Sequence, residues 1–249
     1  MAGGTFPTSV PSYPSISASE TLGTMAGSVG HKATHDHEET DVTALATKVG
    51  IGSSTPAVGM ALGCPTTAGT SVWTASMFQL SKNTLSGATA TVDFTSISSA
   101  YSALLIQVFS RGSAAVSNDP VTMRVGTASS IDTGANYDWS GIYGNASVGS
   151  QNTEGAVAAT SATVGYQSGS SGTANEAGMI EIFMPAYATT TFNKRWRSVS
   201  SWRTSTTTIT TWQETMGGNW RNTAAINVIR FACGGNFAIG STFVLWGLA

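Results

Sequence analysis

The sequence predicts a mainly β protein, in which a C-terminal β-sandwich of the jelly-roll kind follows a short helical neck and an extended N-terminal arm. Three observations predict this. Charged residues make up only 10% of the chain and hydrophobic residues 41%, whereas a disordered chain is highly charged and poor in apolar residues. A helical period occurs in one short segment only. From Met77 onward, short β-rich runs alternate with clusters of turn-forming residues.

The arm covers Met1 to Gly30, a segment rich in Ser, Thr, Gly and Pro. Because it has no sustained period, it is predicted to be extended or disordered on its own. Phe6, Tyr13 and Ile16 are apolar anchors with which it can lie along a neighbouring subunit.

The neck covers His31 to Gly50 and carries the helical pattern. Asp36 can cap the helix, with Glu39 three positions later, and Gly50 is a natural stop. The apolar positions i, i+3 and i+7 form a heptad seam of Val42, Leu45 and Val49. A helix this short is marginal alone, so the seam is predicted to pack against the same helices of sister chains.

A connector rich in Gly, Pro, Ser and Thr is predicted for Ile51 to Ser76, and the sandwich domain for residues 77–249. The predicted strands are Thr89–Phe94, Ala103–Ser110, Val121–Val125, Met179–Met184, Arg195–Arg203, Thr206–Trp212, Ala225–Ala232 and Ser241–Trp246. The predicted turns are Ser117–Pro120, Asp132–Gly134, Met216–Asn219 and Gly234–Asn236. Short strands without intervening helices favour two packed antiparallel sheets.

Charge and cysteine usage narrow the class of protein. A net charge of −2 and a pI near 5.9 give no attraction for nucleic acid. The most apolar tract, Ile226 to Ala249, is interrupted by Arg230 and by a glycine turn, so membrane insertion is not expected. No basic stretch precedes an apolar segment at the N-terminus, so no signal peptide is predicted. Cys64 and Cys233 are predicted to be free thiols of a protein made in a reducing cytoplasm.

Several segments resemble minor structural proteins of tailed bacteriophages. In the arm and neck these are Tyr13-Pro14-Ser15, Ser19-Glu20-Thr21-Leu22, Gly30-His31 and Lys48-Val49-Gly50. In the β region they are Phe94–Ile97, Tyr101 with the apolar strand that follows it, Arg111, Asp132–Asp138, Trp220–Ile226 and Gly235–Ser241.

This resemblance implies a non-enzymatic homotrimeric appendage on the tail or head of the virion. The arm would dock on other virion proteins, and the β domain would face the host surface. It places the chain on the exterior of the particle after assembly in the host cytoplasm. Two alternatives stay open: a capsid decoration or cement protein, and a glycan-degrading tailspike.

The three histidines lie within seven residues of the neck, and His35 falls one heptad before Val42. In a trimer, His35 and His37 of three chains would present six imidazoles around one axis. Phage fibres as a class hold iron in such sites, so the resemblance implies a possible iron or zinc site. The alternative is that these are polar residues at the start of a helix.

A basic and aromatic run is the first candidate glycan site. Its basic residues alternate with tryptophans: Lys194, Arg195, Trp196, Arg197, Trp202 and Arg203. Indole rings stack on sugars and arginines contact acidic groups, which favours Arg195 and Arg197 as ligand-binding residues. Strand alternation offers a simpler interpretation, with the tryptophans in the core and the arginines in water.

Trp139 and Tyr143 are the preferred adhesion residues, because they are predicted to lie in a Gly- and Asn-rich loop. Trp212 and Trp220 are further aromatic candidates. For catalysis, Asp132 and Asp138 could meet as the paired carboxylates of a glycosidase. The simpler interpretation is that Asp132 binds its own backbone in a turn, so no enzyme is predicted.

Overall fold

The computed structural model describes residues 61–63, 72–74, 77–128, 130–145, 151–204 and 211–249. The chain divides into two compact units, Met1–Thr74 and Ala75–Ala249. In the first unit, β1 (Ala61–Gly63) and β2 (Val72–Thr74) pair as an antiparallel hairpin within the predicted connector. The predicted arm and helical neck lie outside the described residues.

The described part of the second unit contains thirteen strands. They are β3 (Met77–Thr84), β4 (Thr89–Phe94), β5 (Ala103–Ser110), β6 (Asn118–Thr127), β7 (Ser130–Ile131), β8 (Tyr137–Asn145), β9 (Gln151–Ala159), β10 (Ala162–Ser168), β11 (Gly178–Pro185), β12 (Lys194–Arg203), β13 (Thr211–Trp220), β14 (Val228–Phe237) and β15 (Thr242–Leu248).

These strands form two antiparallel sheets. The larger has the order β3-β15-β5-β11-β12-β13-β8-β9, and the smaller has the order β10-β6-β14-β4 with β7 paired to β6. Strand β10 packs across β11, β12 and β13 of the larger sheet. The fold is therefore a mainly β sandwich, as predicted, with more strands than the eight of a jelly roll.

One hydrophobic core joins the two sheets. From the smaller sheet it receives Val121, Met123 and Phe231, and from the larger sheet Ile106, Ile180, Ile182 and Phe243. The ring of Phe243 lies 5.0 Å from that of Phe237, edge to face, and 5.7 Å from that of Phe231. Such pairs add to the stabilisation that burial itself provides.

Strand β12 has a strict alternation that fixes the two faces of the larger sheet. Trp196 and Trp202 are buried, whereas Arg195 and Arg197 are exposed. This agrees with the predicted placement of the tryptophans in the core and of these two arginines in water. The side of the sheet that carries Arg195 and Arg197 is called the outer face below.

The two sheets approach closely where β10 crosses β12. Gly165 of β10 has φ +150°, and a Cβ there would meet the side chain of Ser200 at 2.6 Å. Buried Ser200 and its neighbour Ser198 are small enough to admit the strand. A larger residue on either strand would separate the sheets.

Two predicted turns are wrong because their glycines lie inside strands. Gly217 and Gly218 belong to β13, where the buried ring of Trp196 occupies the space that a Cβ on Gly218 would need. Gly234 belongs to β14, at an irregularity where its amide donates to Asp119 Oδ1 at 2.8 Å. Gly218 and Gly234 are thus required by a close approach of a neighbouring side chain rather than by a turn.

The Ser117–Pro120 turn is also wrong for its last three residues, which begin β6. Pro120 is opposite Tyr166 of β10, and the pairing of β6 with β14 starts only at Thr122. No second described strand pairs with β6 at Pro120, so the N–H that proline lacks is not needed there. Proline is therefore tolerated at this position.

The two glycines of β13 provide a matched test of this packing. Gly218→Ala should lower the free energy of unfolding by about 1–3 kcal/mol, because the new methyl group overpacks against Trp196. Gly217→Ala should change it little, because no atom lies within 4 Å of its Cβ position. Urea unfolding of both variants checks this, and equal losses would contradict the role given to Trp196.

Candidate functional site

The outer face carries a groove of about 440 Å³ at one end of β8, β12 and β13. All of its lining residues belong to the larger sheet. In register, Arg195, Asn219 and Asp138 lie side by side across the three strands. In the next outward-facing row, Gly217 is opposite Ser140. Small residues thus form a floor beside a polar row, and Val157, 81% exposed, stands at the rim.

Asp138 is held in place by neighbouring groups. Its Oδ1 accepts a hydrogen bond from the Ala158 amide at 2.9 Å, and its Oδ2 lies 3.4 Å from Arg221 Nε. The Ala158 amide, followed by the charge of Arg221, lowers the pKa of Asp138 against the effect of partial burial. The carboxylate is therefore ionised at neutral pH and already paired with a cation.

Asn219 and Arg195 have unused hydrogen-bonding capacity. Asn219 Nδ2 points to Asp138 Oδ2 at 3.5 Å, while its Oδ1 is buried and has no partner among the described residues. The guanidinium of exposed Arg195 has no hydrogen bond or ion pair with a described residue. The groove therefore combines an exposed cation without a partner among the described residues and, beneath its surface, an unsatisfied acceptor.

The predicted glycan residues divide between the two faces of the sheet. Arg195 lines the groove, and Arg197, on the same face, lies over the ring of Phe183 at 5.7 Å. Trp139 and Tyr143 are not in a loop but in β8, so that part of the prediction is wrong. By register Trp139 shares the core face with Trp196; it packs partly against the core and also lines the groove.

Tyr143 belongs to a ladder of four aromatic rings at the other end of these strands. Ring centroids are 5.8 Å apart for Tyr143 and Trp212, 6.1 Å for Trp212 and Trp202, and 5.0 Å for Trp202 and Tyr166. Trp212 is thus a member of this ladder rather than a free platform. In contact with each other, these rings tie β8, β10, β12 and β13 together.

A pair of glutamates beside this ladder was not predicted from the sequence. Glu154 of β9 is opposite Gly141, and Glu214 Oε1 lies 2.7 Å from the Cβ position of that glycine. Tyr166 Oη donates to Glu154 Oε2 at 2.8 Å, whereas Glu154 Oε1 and both carboxyl oxygens of Glu214 are buried and have no hydrogen-bond partner among the described residues. Two buried carboxyl groups this close together disfavour a second negative charge, which favours protonation of one member of the pair.

Burial, and then the charge of Glu154, raise the pKa of Glu214 to about 8. Burial and the hydrogen bond to Glu154 also raise the pKa of Tyr166. Glu214 is only 2% exposed. A glycosidase places both carboxyl groups against its substrate, so the enclosed pair is better interpreted as a structural element that responds to pH.

Asp132 has a structural role of the predicted kind. Its Oδ1 accepts from the Gly134 amide at 2.8 Å, as expected for turn chemistry. Its Oδ2 accepts from Asn136 Nδ2 at 2.8 Å and from the buried Trp220 Nε1 at 2.7 Å. Trp220 is thereby anchored in the core, and Asp132 and Asp138 have separate partners.

The remaining predicted residues lie outside the described part of the chain. They are the metal candidates His35 and His37 and the oligomerisation seam of Val42, Leu45 and Val49. Iron or zinc at a trimer axis therefore stays a prediction. Among the described residues, no three His, Cys, Asp or Glu side chains are grouped to hold a metal ion, and no helix is long and apolar enough to span a membrane.

No protein-family model matches the chain, and no curated protein or solved structure matches it. The function must therefore be inferred from the geometry of the molecule.

The glutamate pair makes stability depend on pH. The folded-state pKa of Glu214, about 8, is above its ordinary value of 4.5, so the folded state keeps a proton that the unfolded state loses. The free energy of unfolding should therefore fall as pH rises from about 4.5 to 8. Glu214→Gln, which cannot ionise, should reduce this slope.

Thermal unfolding of wild type and variant between pH 5 and 8.5 measures the difference. Glu181→Gln, on the exposed face of β11, is the control and should leave the slope unchanged. An equal slope in wild type and Glu214→Gln would contradict this account.

Proposed function

We propose that the chain is a non-enzymatic structural protein of a bacteriophage virion. In this proposal three copies form a tail or head fibre or spike, the N-terminal arm docks on other virion proteins, and the sandwich contacts the host surface. The observation that carries the proposal is an exposed apolar patch on the outer face of the larger sheet.

The outer apolar patch consists of Phe109, Met179, Val199 and Ile142, which are 57%, 56%, 49% and 54% exposed. Phe109 is directly opposite Met179, and only Thr215 separates Val199 from Ile142 across the sheet. Apolar residues gathered on one exposed face are typical of a contact with another protein. Assembly of a multi-copy particle provides such a contact.

A second copy of the same chain is the partner that the surroundings of the patch favour. Glu181 lies opposite Val199, and Arg197 lies in the next row of the same face, so that each copy offers both signs of charge. Only 10% of the residues are charged. Hydroxyl side chains cost less to remove from water than ions do, so this composition suits repeated self-contact.

The patch can be tested by mutation. The double variant Phe109→Ser, Met179→Thr removes apolar area from the contact. The protein concentration at which half of the trimer dissociates should therefore rise at least tenfold. Sedimentation measures this. Phe192→Ser, in the loop between β11 and β12 and 74% exposed, is the control. An unchanged value, or an equal effect of the control, would exclude the patch as the subunit contact.

The virion role has its own test. Purified particles should contain the protein by mass spectrometry, and particles lacking it should adsorb poorly to host cells. Normal adsorption with lower heat resistance would indicate a capsid cement protein instead, and release of reducing sugar from host glycans would indicate a tailspike. A monomer absent from particles would contradict all three.

A further inference from the structure

The outer-face groove has the size and composition of a small-ligand site. Its volume of about 440 Å³ falls within the range of about 300–1,000 Å³ common for ligand pockets. Gly217 keeps the floor open, because no atom lies within 4 Å of its Cβ position. Exposed Val157 gives an apolar rim beside the polar row.

The polar row supplies both kinds of hydrogen-bonding group. Asn219 Oδ1 is a buried acceptor without a partner among the described residues, and its burial is costly unless a donor reaches it. Ser140 adds a hydroxyl on the next row of the face. A ligand with several hydroxyl groups can pair with Ser140, and it can donate to Asn219 once the side chain of Asn219 turns its oxygen toward the groove.

The charge of the groove selects among such ligands. Asp138 already has a cation in Arg221, at 3.4 Å. Arg195, at the other end of the row, has no carboxylate partner in the described part of the chain. A carboxylate on the ligand would supply that partner, and guanidinium binds carboxylates with two parallel hydrogen bonds.

We propose that the groove binds one acidic sugar unit, with its carboxylate on Arg195, its hydroxyl groups on Asn219 and Ser140, and its apolar face against Val157. This inference rests on the proposed host-attachment role and names the ligand class for it. The groove lies beside the patch, since Val199 is four residues from Arg195 along β12, about 13 Å, and Ile142 is two residues from Ser140 along β8, about 7 Å. The subunit contact must therefore end at Val199 and Ile142 for the groove to stay open.

Saturation-transfer NMR tests the proposal on the full chain with three acidic sugars, namely galacturonic, glucuronic and N-acetylneuraminic acid, and with glucose as the neutral comparison. At least one acidic sugar should bind, and glucose should bind at least tenfold more weakly. The affinity should fall as salt is added, since ions screen an exposed charge pair.

Two variants with matched controls locate the site. Arg195→Gln should weaken binding at least tenfold, whereas Lys82→Gln, on β3 at the opposite edge of the sheet, should change it less than twofold. Gly217→Val should abolish binding by filling the groove. Gly87→Val, at another glycine with open space around it, should not.

Absence of binding to all three acidic sugars, equal binding of glucose, or binding unaffected by Arg195→Gln and Gly217→Val would each overturn the proposed site. Those results leave the virion role standing, because particle composition and adsorption of particles lacking the protein are measured separately. Conversely, sugar binding by a protein absent from particles would support the groove and contradict the virion role.

Discussion

The close packing of β10 on the middle of the larger sheet is the contact on which the sandwich depends. It requires Gly165 on one side and the small buried residues Ser198 and Ser200 on the other. Neither serine hydroxyl has a hydrogen-bond partner among the described residues, which costs free energy. The apolar residues brought together around this crossing offset that cost. The same contact commits one face of β12 to the core and leaves the other exposed.

The sequence predicts the fold best where apolar and β-branched residues are concentrated. The predicted bounds of β4 and β5 agree with the structure, and β11 and β12 differ only at their ends. Strands β8, β9 and β10 were missed because their many Gly, Ala, Ser and Asn residues resemble loops. Gly217 and Gly218 were assigned to a turn because a single sequence cannot show that Trp196 of a neighbouring strand requires the space.

The candidate site was predictable only in part. Period-two alternation places Arg195 and Arg197 in water, and the structure agrees. That Arg195 meets Asn219 and Asp138 depends on the register of three strands, and a single sequence does not give strand pairing. The Glu154–Glu214 pair was missed for the same reason, since the two residues are sixty positions apart and meet only through Gly141.

The two edge strands of the larger sheet, β3 and β9, are protected against pairing with a strand of another molecule. Strand β9 pairs with β8 through a bulge, where Ala158 takes a left-handed φ of 54°, and β3 pairs with β15 through another irregularity and carries Lys82. Bulges and edge lysines disfavour the addition of a foreign strand. Neighbouring copies are thereby discouraged from merging into one continuous sheet. Molecules whose edge strands are protected in this way can be kept at high local concentration without aggregating through their sheets.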